Sequence, residues 1–206
     1  MFVGGLSWKI IGGVLAVAVP SVLVFLSIVM QEGQPLIKGY QRDRIMAFFD
    51  PATYADTEAY QQLNSVIAIG SGQLWGKGLN NTDIASVKNG NFLPESQTDF
   101  IFAVIGEELG FVGSAVVILL LILIAMRCVS IARVAKDTAG MVIAAGMGSL
   151  IGIQGFMNIA VATMMMPNTG LPLPFVSYGL SSLVSMYIGI GFVLNVGLQR
   201  KNLYNL

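Results

Sequence analysis

Histidine is missing altogether from this 206-residue chain. Its absence removes the commonest general base, every serine–histidine triad and the usual histidine zinc sites. Cysteine occurs once, as Cys128, so there is no disulfide framework and no cysteine pair of the metal-binding kind. At a helix end, a lone cysteine is read as packing filler. Charge is scarce as well: 11 Lys and Arg balance 11 Asp and Glu, and no block of one sign occurs. A neutral chain without a basic stripe is a poor match to nucleic acid, and none is expected as a partner. Chemistry here must run on carboxylates, lysines, arginines and backbone groups.

What the chain does have is apolar length. It is 55 % hydrophobic and 11 % charged, a composition that points to an all-α, polytopic membrane bundle. Four runs are long enough to span: Ile10 to Met30, Leu109 to Met126 (extended upstream by Phe100 to Gly106), Gly140 to Met166, and about Gly179 to Leu198. The first is uncharged and rises ~30 Å as a helix, about one hydrocarbon thickness. A signal peptide with "AVA" at Ala16 to Ala18 is the rival reading. The apolar run continues well past that site, which favours a span. Arg127, Arg133 and Lys136 separate the second and third spans, and Arg200 and Lys201 follow the fourth. The positive-inside rule therefore puts both termini in the cytoplasm. Residues 31–98 become an extracytoplasmic loop of a single membrane domain, 1–206.

A loop of that length is expected to carry structure of its own. "YQRDRIMAFFD" and "YQQLNSVIAI" mix polar and apolar residues at helical spacing, with Leu63, Val66, Ile67 and Gly70 on one side of the second. Both read as short helices at the outer membrane interface, the second ended by the glycines of "GSGQLWGKGL". Gly140, Ala144, Gly148 and Gly152 form a small-residue stripe suited to close helix packing. Gln154 and Asn158 share a neighbouring face, either as interhelical hydrogen bonds or as the lining of a polar cavity. "PNTGLPLPFVSYGLSS" reads as a segment that dips into the interface or covers a cavity.

"FLPESQTDFIFAVIGEELG" carries Glu95, Asp99, Glu107 and Glu108 into the start of a span, where ionised groups are costly. A helical projection puts Glu107 at the outer hydrocarbon edge and Asp99 ~12 Å higher, on a nearby face. Asp99 is then either a helix cap or a carboxylate at the depth of a lipid phosphate and its first sugar. "GQLWGKG" is not a P-loop, since no Ser or Thr follows Lys77 and the glycine spacing is wrong. Lys77, Arg42 and Arg44 are solvated cations or contacts to an anionic headgroup. Ser177 lacks the frame and the base of a nucleophile and is retained only as a substrate contact.

Together "YQRDRIMAFFDP", "NSVIAIGSGQLWGKGL", "FLPESQTDFIFAVIGEELGFVG" and "PNTGLPLPFVSYGLSSLVSMYIGIGFVLN" resemble the SEDS family of bacterial cell-wall proteins, the RodA/FtsW/SpoVE group. The resemblance implies a peptidoglycan glycosyltransferase that polymerises lipid II at the outer face of the plasma membrane. It serves division or cell shape, with a class B penicillin-binding protein and other divisome or elongasome proteins as partners. The family's proposed catalytic aspartate falls on Asp99, which would act as general base on the acceptor hydroxyl or position it. Lys77, Arg42 and Arg44 would meet the lipid pyrophosphate, and Glu107, Gln154, Asn158 and Ser177 would line the site. No resident metal is assigned, and the reaction is either metal-independent or assisted by a divalent cation. Gln97 stands where histidine is common, Leu180 where many members have a second glycine, and no "GAGY" glycines surround Thr57 to Tyr60. Family members have about ten spans and this chain matches the last four, as a fragment, a late start codon or a split gene would. The rival functions are a lipid II transporter and a non-catalytic partner of the penicillin-binding protein.

The orientation is tested by labelling. Cysteine placed at Asn81 in a Cys128→Ser background is expected to react with an impermeant maleimide in intact spheroplasts. Reaction only after the membrane is opened would invert the topology.

Overall fold

The computed structural model describes residues 8–29, 39–79, 93 and 96–199; Glu95 and Asn81 lie outside them. Six helices follow in order, with no strand among the described residues: α1 (Trp8–Val29), α2 (Gly39–Phe49), α3 (Tyr60–Ser71), α4 (Ile101–Arg133), α5 (Thr138–Ala162) and α6 (Leu180–Leu198). Of these, α4, α5 and α6 are long and apolar enough to cross a bilayer. The first expected span falls on α1, which has 22 residues, although its described apolar stretch, Gly12–Phe25, is shorter than a span. The described side chains of α1 are almost all exposed.

The bundle is organised around α5, the most enclosed of the three long helices. It lies between α4 and α6 and also touches α3. The small-residue stripe explains how closely it packs. A Cβ on Gly148 would press on the Ala125 carbonyl and on Cys128, and one on Gly140 would press on Val196 of α6. Ala144 is fully buried. Cys128 fills the α4–α5 seam at 2 % exposure, as a small apolar residue does. Leu119, Ile122, Phe156, Ile188 and Leu194 point outward from the three helices, a surface that suits hydrocarbon and not water.

Two helix ends differ from the apolar runs. α4 continues through Arg127 to Arg133, so these residues lie within its last turns and not in a connecting loop, and only Val134–Asp137 link it to α5. The Asp137 side chain caps α5 by accepting from Gly140 N at 2.9 Å. At its far end α5 stops at Ala162, short of the expected Met166. There α3 supplies the reason. Gln62 Nε2 donates to Val161 O and to Met166 O in the following loop, and Ser65 Oγ donates to Ala162 O, so side chains of α3 bind carbonyls at and just past the helix end. The buried face of α3 is accordingly polar, Gln62 and Ser65 with Ala68, while Val66 and Ile67 of the expected apolar side are exposed.

The α3–α4 connection is spliced into α4 itself. Gly110 has φ 66° and ψ −163°, which breaks the helix. In a continuous helix Phe111 N would bond Glu107 O, and Val112 N would bond Glu108 O. Here Glu107 O and Glu108 O accept from Lys77 N and Gly78 N at 2.9 and 3.0 Å. Phe111 N and Val112 N donate instead to Gln73 O and Leu74 O at 2.8 and 3.2 Å. The loop thus replaces two rungs of the helix with four bonds of its own. Glycine makes this approach sterically available. A Cβ on Gly72 would overlap the Gly106 carbonyl, and Cβ atoms on Gly76 and Gly110 would each overlap the opposing backbone.

That crossing separates two glycine substitutions by sign. Gly72→Ala is expected to destabilise the chain by ~1–3 kcal/mol through overpacking. Gly146→Ala meets open space inside a helix and is expected to be neutral or stabilising by up to ~1 kcal/mol. Thermal unfolding in detergent micelles reads both, and equal midpoints would contradict the crossing.

Candidate functional site

Asp99 sits in the turn that precedes α4. The helix begins at Ile101 with Phe100 at the N-cap, where no side chain makes a capping bond. The helical projection onto Glu107 therefore does not extend to Asp99, because residues 96–100 are turn. Phe100 is fully buried beside Leu93, Ala103, Ala68 and Val161. This small apolar cluster anchors the turn at the end of the bundle where α3 and the 163–179 loop also lie.

Three successive carbonyls of this turn are held by side chains or backbone from elsewhere. Tyr178 N donates to Gln97 O at 2.8 Å. Ser177 Oγ donates to Thr98 O at 2.6 Å and accepts from Leu173 N at 2.7 Å. Asn158 Nδ2, on α5, donates to Asp99 O and to Leu171 O, both at 2.7 Å. Each such bond contributes ~1 kcal/mol net and would cost more if left unmade at a buried position. The half-buried Asp99 carboxylate faces Gly170, where a Cβ would lie 3.4 Å from Oδ2. Gly170 has φ +67° and donates its N–H to Asn168 Oδ1, so that close approach suits glycine.

The 163–179 loop is the second half of the site. It turns back into the bundle, burying Leu173, Pro174 and Ser177 almost completely. Gln154 Nε2 donates to Pro172 O at 2.9 Å. Gln154 and Asn158 therefore donate to loop backbone, and Asn158 also to the turn before α4, where the sequence left open an interhelical bond or the lining of a polar cavity. Met164 and Phe175 have positive φ, the kind of local strain that persists only where surrounding contacts hold it.

Lys77 and Glu107 are brought together across thirty residues of chain. Lys77 Nζ lies 2.8 Å from Glu107 Oε1, with side-chain exposures of 27 % and 2 %. The pair sits on the spliced loop, beside the bond from Lys77 N to Glu107 O. Arg44 stands apart from it, lining a polar cavity with Asp56, Thr57, Glu58, Tyr60, Gln61 and Asn168. Arg42 is half-buried on α2. Among the described residues no three Cys, Asp or Glu side chains converge as metal ligands. Gln62, Ser65, Asn168 and Gly170 were missed as contributors. Their only sequence signal was polarity on a short helix and an "NTG" in a proline-rich loop.

Helices that turn apolar side chains outward and keep their polar contacts toward helix ends and loops are what a bilayer selects. The chain is a polytopic membrane helical bundle. The model of the FtsW/RodA/SpoVE family, described as "Cell cycle protein", matches residues 1–202, and the chain belongs to that family. It is 41 % identical over 203 residues to the peptidoglycan glycosyltransferase MrdB of Escherichia coli K12, covering 98 % of this chain and 52 % of that protein. It is 39 % identical over 204 residues to a probable peptidoglycan glycosyltransferase FtsW of Nitrosomonas europaea, covering 98 % and 49 %. A solved chain described under "Structural coordination of polymerization and crosslinking by a peptidoglycan synthase complex" superposes with TM-score 0.69 at 28 % identity, over 97 % of this chain and 51 % of that one. The chain thus spans about half the length of the curated relatives it matches.

The ion pair yields a double-mutant cycle. Lys77→Met leaves Glu107 buried without its cation and is expected to cost ~3 kcal/mol, the low end for a broken buried pair because Lys77 keeps some solvent. Adding Glu107→Met is expected to recover most of that loss. Additive destabilisation in micelle unfolding would show that the two side chains do not interact.

Proposed function

We propose that this chain contributes the Asp99 half of a peptidoglycan glycosyltransferase. The substrate is lipid II, polymerised at the outer face of the plasma membrane. The observation that carries the reading is the clamp on Gln97, Thr98 and Asp99, whose three carbonyls are held by Tyr178, Ser177 and Asn158. A carboxylate that accepts a proton from a sugar hydroxyl must be held within a fraction of an ångström. An acid serving only to begin a helix would need no such support. The names of the relatives agree with this chemistry.

In this reading Asp99 is the general base on the acceptor hydroxyl, or orients it. Asn158, Ser177 and Gln154 are positioning residues, since each touches the turn or the loop that carries it. Lys77 acts through Glu107 by fixing the spliced loop. Residues 31–98 and the 163–179 loop face outward and the termini face the cytoplasm, a reading supported by Arg127, Arg133 and Lys136 through the positive-inside rule. A class B penicillin-binding protein is the proposed partner, supported by the likeness to a chain from a synthase complex. The transporter reading needs a polar path through the bundle, whereas Gln154 and Asn158 each donate to loop carbonyls.

The test is Asp99→Asn, which keeps the size and shape of the side chain but removes the proton acceptor. It is assayed on fluorescent lipid II in a chimera that joins the N-terminal half of the E. coli relative to this chain, with its penicillin-binding partner. Glycan synthesis is expected to fall ~10²–10⁴-fold at unchanged expression and partner binding. Polymerisation at the unsubstituted rate would return Asp99 to a structural role.

A further inference from the structure

The polar cavity beside Arg44 is used by none of the steps above. It has a volume of about 310 Å³ and is walled by Arg44, Asp56, Glu58, Tyr60, Gln61 and Asn168, with Thr57 at its rim. Asp56, Thr57 and Tyr60 are exposed at the mouth, while Arg44, Glu58, Gln61 and Asn168 are half-buried. A single loop links the wall of the cavity to the turn that carries Asp99. Asn168 Nδ2 donates to Gln61 Oε1 at 3.3 Å, Asn168 Oδ1 accepts from Gly170 N at 3.1 Å, and Gly170 faces the Asp99 carboxylate.

Its chemistry narrows the ligand. Two carboxylates face one guanidinium, an excess of negative charge that disfavours a pyrophosphate at this distance. A cationic ligand would meet the Arg44 guanidinium. A neutral molecule with many hydroxyls fits better, because the wall intersperses kinds of partner. Arg44 only donates, Asp56 and Glu58 only accept, and Thr57, Tyr60, Gln61 and Asn168 do both. The Tyr60 ring, 37 % exposed at the mouth, offers an apolar face beside a polar tip, which suits the C–H face of a pyranose. The volume is at the small end for ligand cavities, enough for one substituted sugar ring.

We propose that this cavity is a saccharide subsite that holds a neutral N-acetylhexosamine ring of the glycan next to the one reacting at Asp99. The proposal deepens the glycosyltransferase reading and rests on it for the identity of the sugar. It also changes the role of Arg44, from a contact to the leaving group into a hydrogen-bond donor to sugar oxygens.

The test uses the whole chain in detergent micelles and a soluble disaccharide of N-acetylglucosamine, free of lipid and pyrophosphate, read by saturation-transfer NMR. Saturation transfer to the sugar is expected, with binding weakened at least ~10-fold, or ~1.4 kcal/mol, by Asp56→Ala together with Tyr60→Ala. Both side chains are exposed, so the variant is expected to fold, and Thr57→Val serves as a milder second variant with a smaller loss in the same direction. Asp99→Asn is expected to leave the binding intact, and inorganic pyrophosphate is expected not to compete. No transfer to the unsubstituted chain, unchanged binding in both cavity variants, or displacement by pyrophosphate would each overturn the subsite. Polymerisation by the chimera without sugar binding here would remove the subsite alone. Sugar binding alongside full activity of Asp99→Asn would leave the cavity standing and remove the catalytic role of Asp99.

Discussion

A bilayer interior offers no water to an unpaired N–H or carbonyl, so a break in a spanning helix must be repaired from within the protein. In α4 the repair comes from the Gln73–Gly78 loop, which takes over the two rungs lost at Gly110 with four bonds of its own. This exchange couples elements that are far apart in the chain. It fixes where α3 ends and sets Lys77 over Glu107. It also angles the first turns of α4, from which the Asp99 turn projects. The ion pair then has a clear electrostatic reason. Glu107 is only 2 % exposed in its side chain, and the spliced loop places the Lys77 ammonium 2.8 Å from it.

The same requirement governs the other irregular segment. The 163–179 loop enters the bundle and has to satisfy its backbone there, and polar side chains of α5 and of the loop itself do so. α3 repeats the solution at the end of α5 through Gln62 and Ser65. Polar residues inside this bundle consequently act as backbone partners before they act as ligands. The half-buried Asp99 carboxylate faces the backbone of Gly170, and its own main-chain carbonyl is held by Asn158.

The packing also shows how the two kinds of surface divide. Small residues along α5 bring α4 and α6 close, and the large apolar side chains of all three are turned outward. Polar cavities lie at both ends of the bundle, one where α3 and the long loops meet and one between the α4–α5 link and the end of α6. The surface between the two ends is shaped for hydrocarbon.

Much of this was legible in the sequence, and for definable reasons. The long apolar helices, the two short helices of the loop, the small-residue stripe and the filler role of Cys128 all follow from local periodicity and composition. Asp99 could be singled out because a carboxylate at the edge of a span is rare. Lys77, Glu107, Gln154, Asn158 and Ser177 were likewise visible as residues of interest, each considered alone. What only the tertiary structure decided was the partner of each. The meeting of Lys77 with Glu107, of Asn158 with Asp99 and Leu171, and of Gly72 with Gly106 joins positions thirty or more residues apart, or a helix to a loop. Local periodicity encodes the direction a side chain takes around its own helix. It does not encode which distant backbone group, left unpaired by a break or a helix end, will be waiting there to be satisfied.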